Sequence, residues 1–143
     1  MQPPLSRPTC DPLPLGAPKL ILSVDDEPSI LNTRKQILNV AKYEVINAID
    51  GETALEVFDA VPNIDLVLLD FAMPGMDGSS VAREMKRRRP SVPICMVTAH
   101  EAMVAKMTPV CVDCIVPKGT GPVYLLEKIN QLLGGTSVAA QLL

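Results

Sequence analysis

Five times between Lys19 and Leu133 a short apolar run gives way to a segment with helical spacing, and this alternation constrains the fold more than anything else in the chain. Repeated strand and helix patterns are the signature of βα units, which wind into a parallel sheet with helices on both faces. The apolar runs span residues 20–24, 44–48, 66–69, 94–97 and 114–116. The run 66–69 is the most continuously apolar, so it belongs at the sheet centre. Residues 44–48 alternate instead, which places them at an edge.

The helical segments are marked by their apolar spacing. A first helix starts near Pro28, which a first turn tolerates, and carries Ile30, Leu31, Ile37, Leu38 and Ala41 on one face. Ala54, Leu55, Phe58 and Val61 mark a second helix after Asp50-Gly51, and Val81, Ala82 and Met85 a third after Gly78. A short fourth is expected from Glu101 to Met107, bounded by Pro109. The fifth, after Pro122, carries Leu125, Leu126, Ile129, Leu132 and Leu133. The basic run Lys86-Arg87-Arg88-Arg89 falls at the end of the third helix, where cations complement the helix dipole. It reads as a solvated helix end rather than a docking patch.

At 143 residues the chain is one domain with a single core. Residues 1–18 hold six of the fourteen prolines and read as a disordered, proline-rich tail. Residues 19–133 are expected to form the folded domain, and residues 134–143 a flexible C-terminal tail. No apolar stretch is long enough for a membrane span and no leader pattern opens the chain, so a cytoplasmic protein without membrane insertion is expected. The net charge of −3 argues against direct nucleic-acid binding. The cysteines Cys10, Cys95, Cys111 and Cys114 are too irregular for a disulfide framework, and Cys111-x-x-Cys114 lacks a second pair to complete a metal site.

What the strands run into is chemically specific. The first ends in Asp25-Asp26, the third in Asp70, the fourth in Thr98, and the fifth is followed by Pro117-Lys118. In an open parallel sheet, ligands bind outside the carboxyl ends of the strands, so these side chains are expected to share one cleft. Neighbouring carboxylates repel unless a cation compensates, and hard oxygen donors favour Mg²⁺, Mn²⁺ or Ca²⁺ over zinc. Mg²⁺ takes few carboxylates and shares its shell with phosphate. Lys118, Thr98 and the backbone amides after Asp70 suit the phosphoryl oxygens. No glycine-rich nucleotide cradle is present. An aspartate can itself be the nucleophile, forming an aspartyl phosphate, and Asp70 is the candidate because it follows the most continuously apolar strand.

The runs Val24-Asp25-Asp26-Glu27-Pro28, Leu69-Asp70-Phe71-Ala72-Met73-Pro74-Gly75-Met76-Asp77-Gly78 and Val97-Thr98-Ala99, with the lysine after the fifth strand, resemble the receiver domain of two-component response regulators. The resemblance covers Lys19 to Leu133. It implies a doubly wound (βα)5 flavodoxin-like sheet in order 2-1-3-4-5. It also implies that Asp70 accepts a phosphoryl group from a phosphohistidine on a sensor histidine kinase or histidine phosphotransfer protein. Asp25, Asp26, Asp70 and the carbonyl of Ala72 would hold Mg²⁺, with Mn²⁺ as a substitute, while Thr98 and Lys118 bind the phosphoryl oxygens. Gly75, Gly78 and Pro74 would shape the loop after Asp70. Helix one and the loop after Lys118 would be the docking surface.

The pattern is departed from in three places. Ile115 stands where the family usually has an aromatic residue, Gly119 follows the lysine where a cis proline is usual, and the segment between Thr98 and Lys118 is short. A cis bond before a non-proline costs about 3 kcal/mol, so a trans bond is expected, with Gly119 turning the chain. The expected function is a stand-alone phospho-switch or relay that acts on a downstream protein target. A receiver-like interaction module that works without phosphorylation is the alternative. An aspartate-nucleophile phosphatase, similar to haloacid dehalogenases, is disfavoured because Ala72 stands where its second catalytic Asp would be. The chain is thus expected not to be an enzyme beyond its own phosphorylation and dephosphorylation.

Overall fold

The computed structural model describes residues 18–99 and 112–134. Its elements run β1 (Leu20–Val24), α1 (Pro28–Val40), β2 (Glu44–Ala48), α2 (Gly51–Ala60), β3 (Leu66–Asp70), α3 (Gly78–Arg88), β4 (Ile94–Thr98), β5 (Cys114–Pro117) and α4 (Pro122–Leu132). The helix expected between Glu101 and Met107, residues 1–17 and 135–143 of the two expected tails, and Cys111 lie outside the described residues.

All strand pairs are parallel, in the order β2-β1-β3-β4-β5. The apolar β3 is buried along its whole length at the centre, and β2, with its alternating burial, is an edge. Successive side chains of a strand point to opposite faces, so the single core expected from chain length is divided into two, one on each face of the sheet. Ile21, Leu66, Leu68, Cys95, Val97 and Val116 pack with Leu38 of α1 and Leu125 and Ile129 of α4 on one face. Leu22, Val24, Val67, Leu69, Ile94 and Met96 pack with Phe58 of α2 and Val81, Ala82 and Met85 of α3 on the other. Helices on both faces are what the alternation predicted.

Polar residues fix where elements begin. Pro28 and Pro122 occupy first turns. The Asp50 and Asp77 carboxylates cap α2 and α3, accepting from the backbone N–H of Thr53 at 2.7 Å and of Ser80 at 2.9 Å. Each satisfies a donor that the helix itself leaves unpaired. Two further aspartates clip strand starts together. The Asp65 N–H donates to the Leu20 carbonyl while its carboxylate accepts the Leu20 N–H, and Asp113 does the same with Ile94.

The basic run corrects the sequence reading. Arg87 extends into solvent beside Glu84, but its neighbours are tied down. Arg89 lies over the Phe58 ring, 4.0 Å from its centroid, and donates to the carbonyls of Phe58, Val61 and Pro62 at the end of α2. Lys86 donates to the carbonyls of Pro90 and Val92 and pairs with Asp113 at 2.7 Å. Arg88 bridges Glu84 and Asp59. Carbonyls freed by the end of one helix need donors, and this run supplies them across the α2–α3 contact.

Candidate functional site

The strand registers bring the carboxyl ends to one level: Val24 lies opposite Leu69, Asp70 opposite Val97, and Thr98 opposite Pro117. The residues that follow each strand therefore meet at one edge of the sheet. Asp25, Asp26 and Asp70 each present a carboxylate oxygen, all within 4.8 Å of one another. Asp25 and Asp70 are buried, and Asp26 is the most exposed of the three. Lys118 reaches in from beyond β5, its Nζ 3.2 Å from Asp70 Oδ1 and 3.4 Å from Asp25 Oδ2. Thr98 is buried at the end of β4, and its carbonyl accepts the Lys118 N–H at 2.9 Å, holding the two neighbours level.

The loop from Phe71 to Asp77 is set by close packing at Gly78. A Cβ there would lie 2.3 Å from the Asp70 carbonyl oxygen and 2.8 Å from Phe71 Cα. The Gly78 N–H donates to the Phe71 carbonyl at 2.8 Å, closing the loop against the strand that carries Asp70. Gly75 turns the same loop with φ 80°. Ala72 is exposed on it, two residues beyond Asp70.

The electrostatics are those of an acid cluster short of positive charge. Burial, then the adjacent Asp25, raise the Asp70 carboxyl above the usual aspartate range, with Lys118 pulling the other way. Burial works against the Lys118 charge, but Asp70 and Asp25 outweigh it and hold the ammonium above its ordinary value. Oxygen donors alone, in a group whose mutual repulsion is only partly relieved, fit a hard divalent cation such as Mg²⁺.

The residues anticipated from sequence are where the strand-end rule puts them: Asp25, Asp26, Asp70 and Lys118 converge, with Thr98 beside them. The bond after Lys118 is trans, and Gly119 turns the chain with φ 91°, followed by Gly121 at φ 92°. Arg34 was missed. It occupies the buried face of α1 between Leu31 and Leu38, donating from Nη1 to Ser23 Oγ at 3.2 Å and from Nη2 to Asp25 Oδ2 at 3.4 Å. Burial lowers its pKa against the pull of Asp25 and Asp70, yet a guanidinium remains charged in a protein. The available signal was its spacing: residues 31, 34 and 38 share one helical face, so a charge there points into the core.

A cavity of about 430 Å³ opens beside the acids between α1 and the loop after Lys118. Ile30, Arg34, Ile37, Val116, Lys118 and Pro122 are among its walls.

The family model for the response regulator receiver domain matches residues 21–130. The chain belongs to this family. Receivers of this family are not conventional enzymes, and the matched region contains the whole acid cluster and Lys118. The chain is 38% identical over 120 residues to the probable transcriptional regulator ycf27 of Cyanophora paradoxa, covering 82% of this chain and 49% of the relative. It is 32% identical over 124 residues to the alkaline phosphatase synthesis transcriptional regulatory protein PhoP of Bacillus subtilis, covering 85% and 51%. The chain thus spans about half the length of these curated relatives. Among solved structures, response regulator protein TrrA of Thermotoga maritima in complex with Mg²⁺-BeF superposes with a TM-score of 0.76 at 37% identity, covering 80% of this chain and 99% of that one. TrrA in complex with histidine kinase ThkA gives 0.74 at 38% identity, covering 80% and 98%. No helix among the described residues of this receiver is long and apolar enough to cross a membrane.

Proposed function

We propose that this receiver takes a phosphoryl group from the phosphohistidine of a cytoplasmic sensor kinase or phosphotransfer protein onto Asp70. The observation that carries the proposal is Lys118 Nζ set between Asp25 and Asp70, at 3.4 and 3.2 Å, beside a third carboxylate. In the transfer, a carboxylate oxygen of Asp70 bonds to phosphorus as the P–N bond to the donor imidazole breaks. The bonding pair returns to the imidazole nitrogen, which then takes a proton. Asp25, Asp26, Asp70 and the Ala72 carbonyl would hold Mg²⁺ or Mn²⁺, which when bound would supply charge for the phosphoryl oxygens. Thr98 Oγ1 donates to one phosphoryl oxygen. Lys118 exchanges its contact with Asp70 for another, and the freed loop alters the surface presented to a downstream protein. Water attack on the aspartyl phosphate resets the site.

The kinase would seat on α1 and the loop after Lys118. The solved TrrA–ThkA pair shows a similar receiver in complex with a histidine kinase, and the cleft between these two elements is mostly apolar-walled, as a docking helix requires.

Incubation with Mg²⁺ and a small acyl phosphate, read by intact-protein mass spectrometry, tests the assignment. One phosphate-sized gain is expected in the wild type, and none in Asp70→Asn or without divalent metal. Half-buried Ile115, which carries no ring hydroxyl to report on Thr98, favours a second reading as a phosphorylation-independent interaction module. A folded, Mg²⁺-binding protein that gains no phosphate would establish that second reading instead.

A further inference from the structure

Arg34 is the only buried cationic side chain among the described residues, and it shares an oxygen with Lys118 of the site. Asp25 Oδ2 lies 3.4 Å from Arg34 Nη2 and 3.4 Å from Lys118 Nζ, while Asp25 Oδ1 accepts the Glu27 N–H at 3.0 Å. The two cations differ in freedom. Arg34 is held within the core by its second bond, to Ser23 Oγ of β1, whereas the Lys118 side chain is 28% exposed at the start of a loop turned by glycines.

The proposed switch requires Lys118 to leave the acids for a phosphoryl oxygen. Asp25 has no exposure to water, and a buried carboxylate stripped of its counter-charge is strongly disfavoured. With Lys118 as its sole cation until Mg²⁺ is seated, Asp25 would retain the lysine and resist the incoming metal. We infer that Arg34 is a positioning residue that releases Lys118: the fixed guanidinium keeps Asp25 paired and oriented, so the ammonium becomes exchangeable. A planar fork can hold Ser23 and Asp25 at once, which a lysine's single ammonium cannot do with the same geometry. Arg34 also places positive charge beneath the metal site, which by itself would oppose Mg²⁺. Its contact pairing with Asp25 leaves mainly a local dipole, so release of the competing lysine dominates.

This inference rests on the phosphoryl-site reading, and a double-mutant cycle separates the two. Mg²⁺ affinity is measured by calorimetry on the full chain for the wild type, Arg34→Met, Lys118→Ala and the double variant. Arg34→Met is expected to weaken Mg²⁺ binding about tenfold when Lys118 is present and less than twofold when it is absent. An equal effect in both backgrounds would mean a structural role alone. Binding in Arg34→Met as tight as, or tighter than, in the wild type would equally overturn the inference. Should Arg34→Met fail to give the folded circular dichroism spectrum, Ser23→Ala carries the same cycle, since it removes the bond that fixes the guanidinium while leaving every charge and the Asp25 pair; a smaller loss, about threefold, is expected to vanish with Lys118→Ala. Wild-type protein that binds no Mg²⁺ would overturn the site reading and this inference with it, whereas wild-type binding with additive effects would overturn only the role of Arg34.

Discussion

Asp70 is held in a state that costs the metal-free protein stability, because its carboxylate is buried beside Asp25 with, among the described residues, Lys118 alone in contact to offset the repulsion. Its folded-state pKa is raised, so the folded protein favours the protonated form. The destabilisation is fully present above the raised pKa and is relieved as pH falls from there toward the unfolded value of about 3.9. Metal-free stability is therefore expected to rise on mild acidification. It should then fall below about pH 4, where the capping carboxylates Asp50 and Asp77 protonate. Their folded pKa values are depressed by the backbone bonds they accept, so the stability they add is present above their unfolded pKa and lost as pH drops through the folded one. Thermal melts of metal-free protein across this range check both limbs. Asp70→Asn, nearly isosteric and uncharged, should raise the metal-free melting temperature by a few degrees, roughly what 1 kcal/mol gives in a small domain, and should remove the acid-side rise. A lower melting temperature in that variant would show that the Lys118 contact outweighs burial.

The elements around the site are joined by contacts that small changes would break. Gly78 begins α3 directly against the strand end that carries Asp70. Gly78→Ala must push α3 or the loop aside, and is expected to cost about 2 kcal/mol, as overpacking of a tight contact does. Chemical denaturation gives the stability loss, and acyl-phosphate labelling should slow in step because the loop amides move with α3. The strand ends were legible from sequence because apolar runs stop abruptly at Asp25, Asp70 and Thr98, and the strand-end rule turns that into geometry. The central place of β3 and the edge place of β2 followed from continuous against alternating apolarity. Arg34 was not read, since the α1 pattern was taken from its apolar members alone and the guanidinium's partners, Ser23 and Asp25, lie on another element. The roles of Lys86, Arg88 and Arg89 were hidden for the same reason. A charge run shows its sign in sequence, but not the carbonyls of Phe58, Val61 and Pro62 that the fold brings to Arg89.

For the whole molecule, metal binding at the acid cluster would be linked to folding. The acid cluster draws on β1 and β3 together, so an unfolded chain offers Mg²⁺ no comparable site, and bound metal should stabilise by mass action, by about 2.7 kcal/mol at a hundred times the dissociation constant. Melting temperature is expected to climb with the logarithm of Mg²⁺ concentration in the wild type and to respond weakly in Asp70→Asn. Equal responses would place the ion outside the Asp25, Asp26 and Asp70 cluster. The cleft beside the acids extends the same accounting to a second ligand. Lys118 and Arg34 belong at once to the acid site and to the wall of that cleft. A guest in the cleft that favours one placement of these two cations must alter affinity at the acids, and thermodynamic reciprocity makes the change equal in both directions. The cleft would then be a port through which a bound partner can write to the site as well as read it, with no need for the sheet to bend.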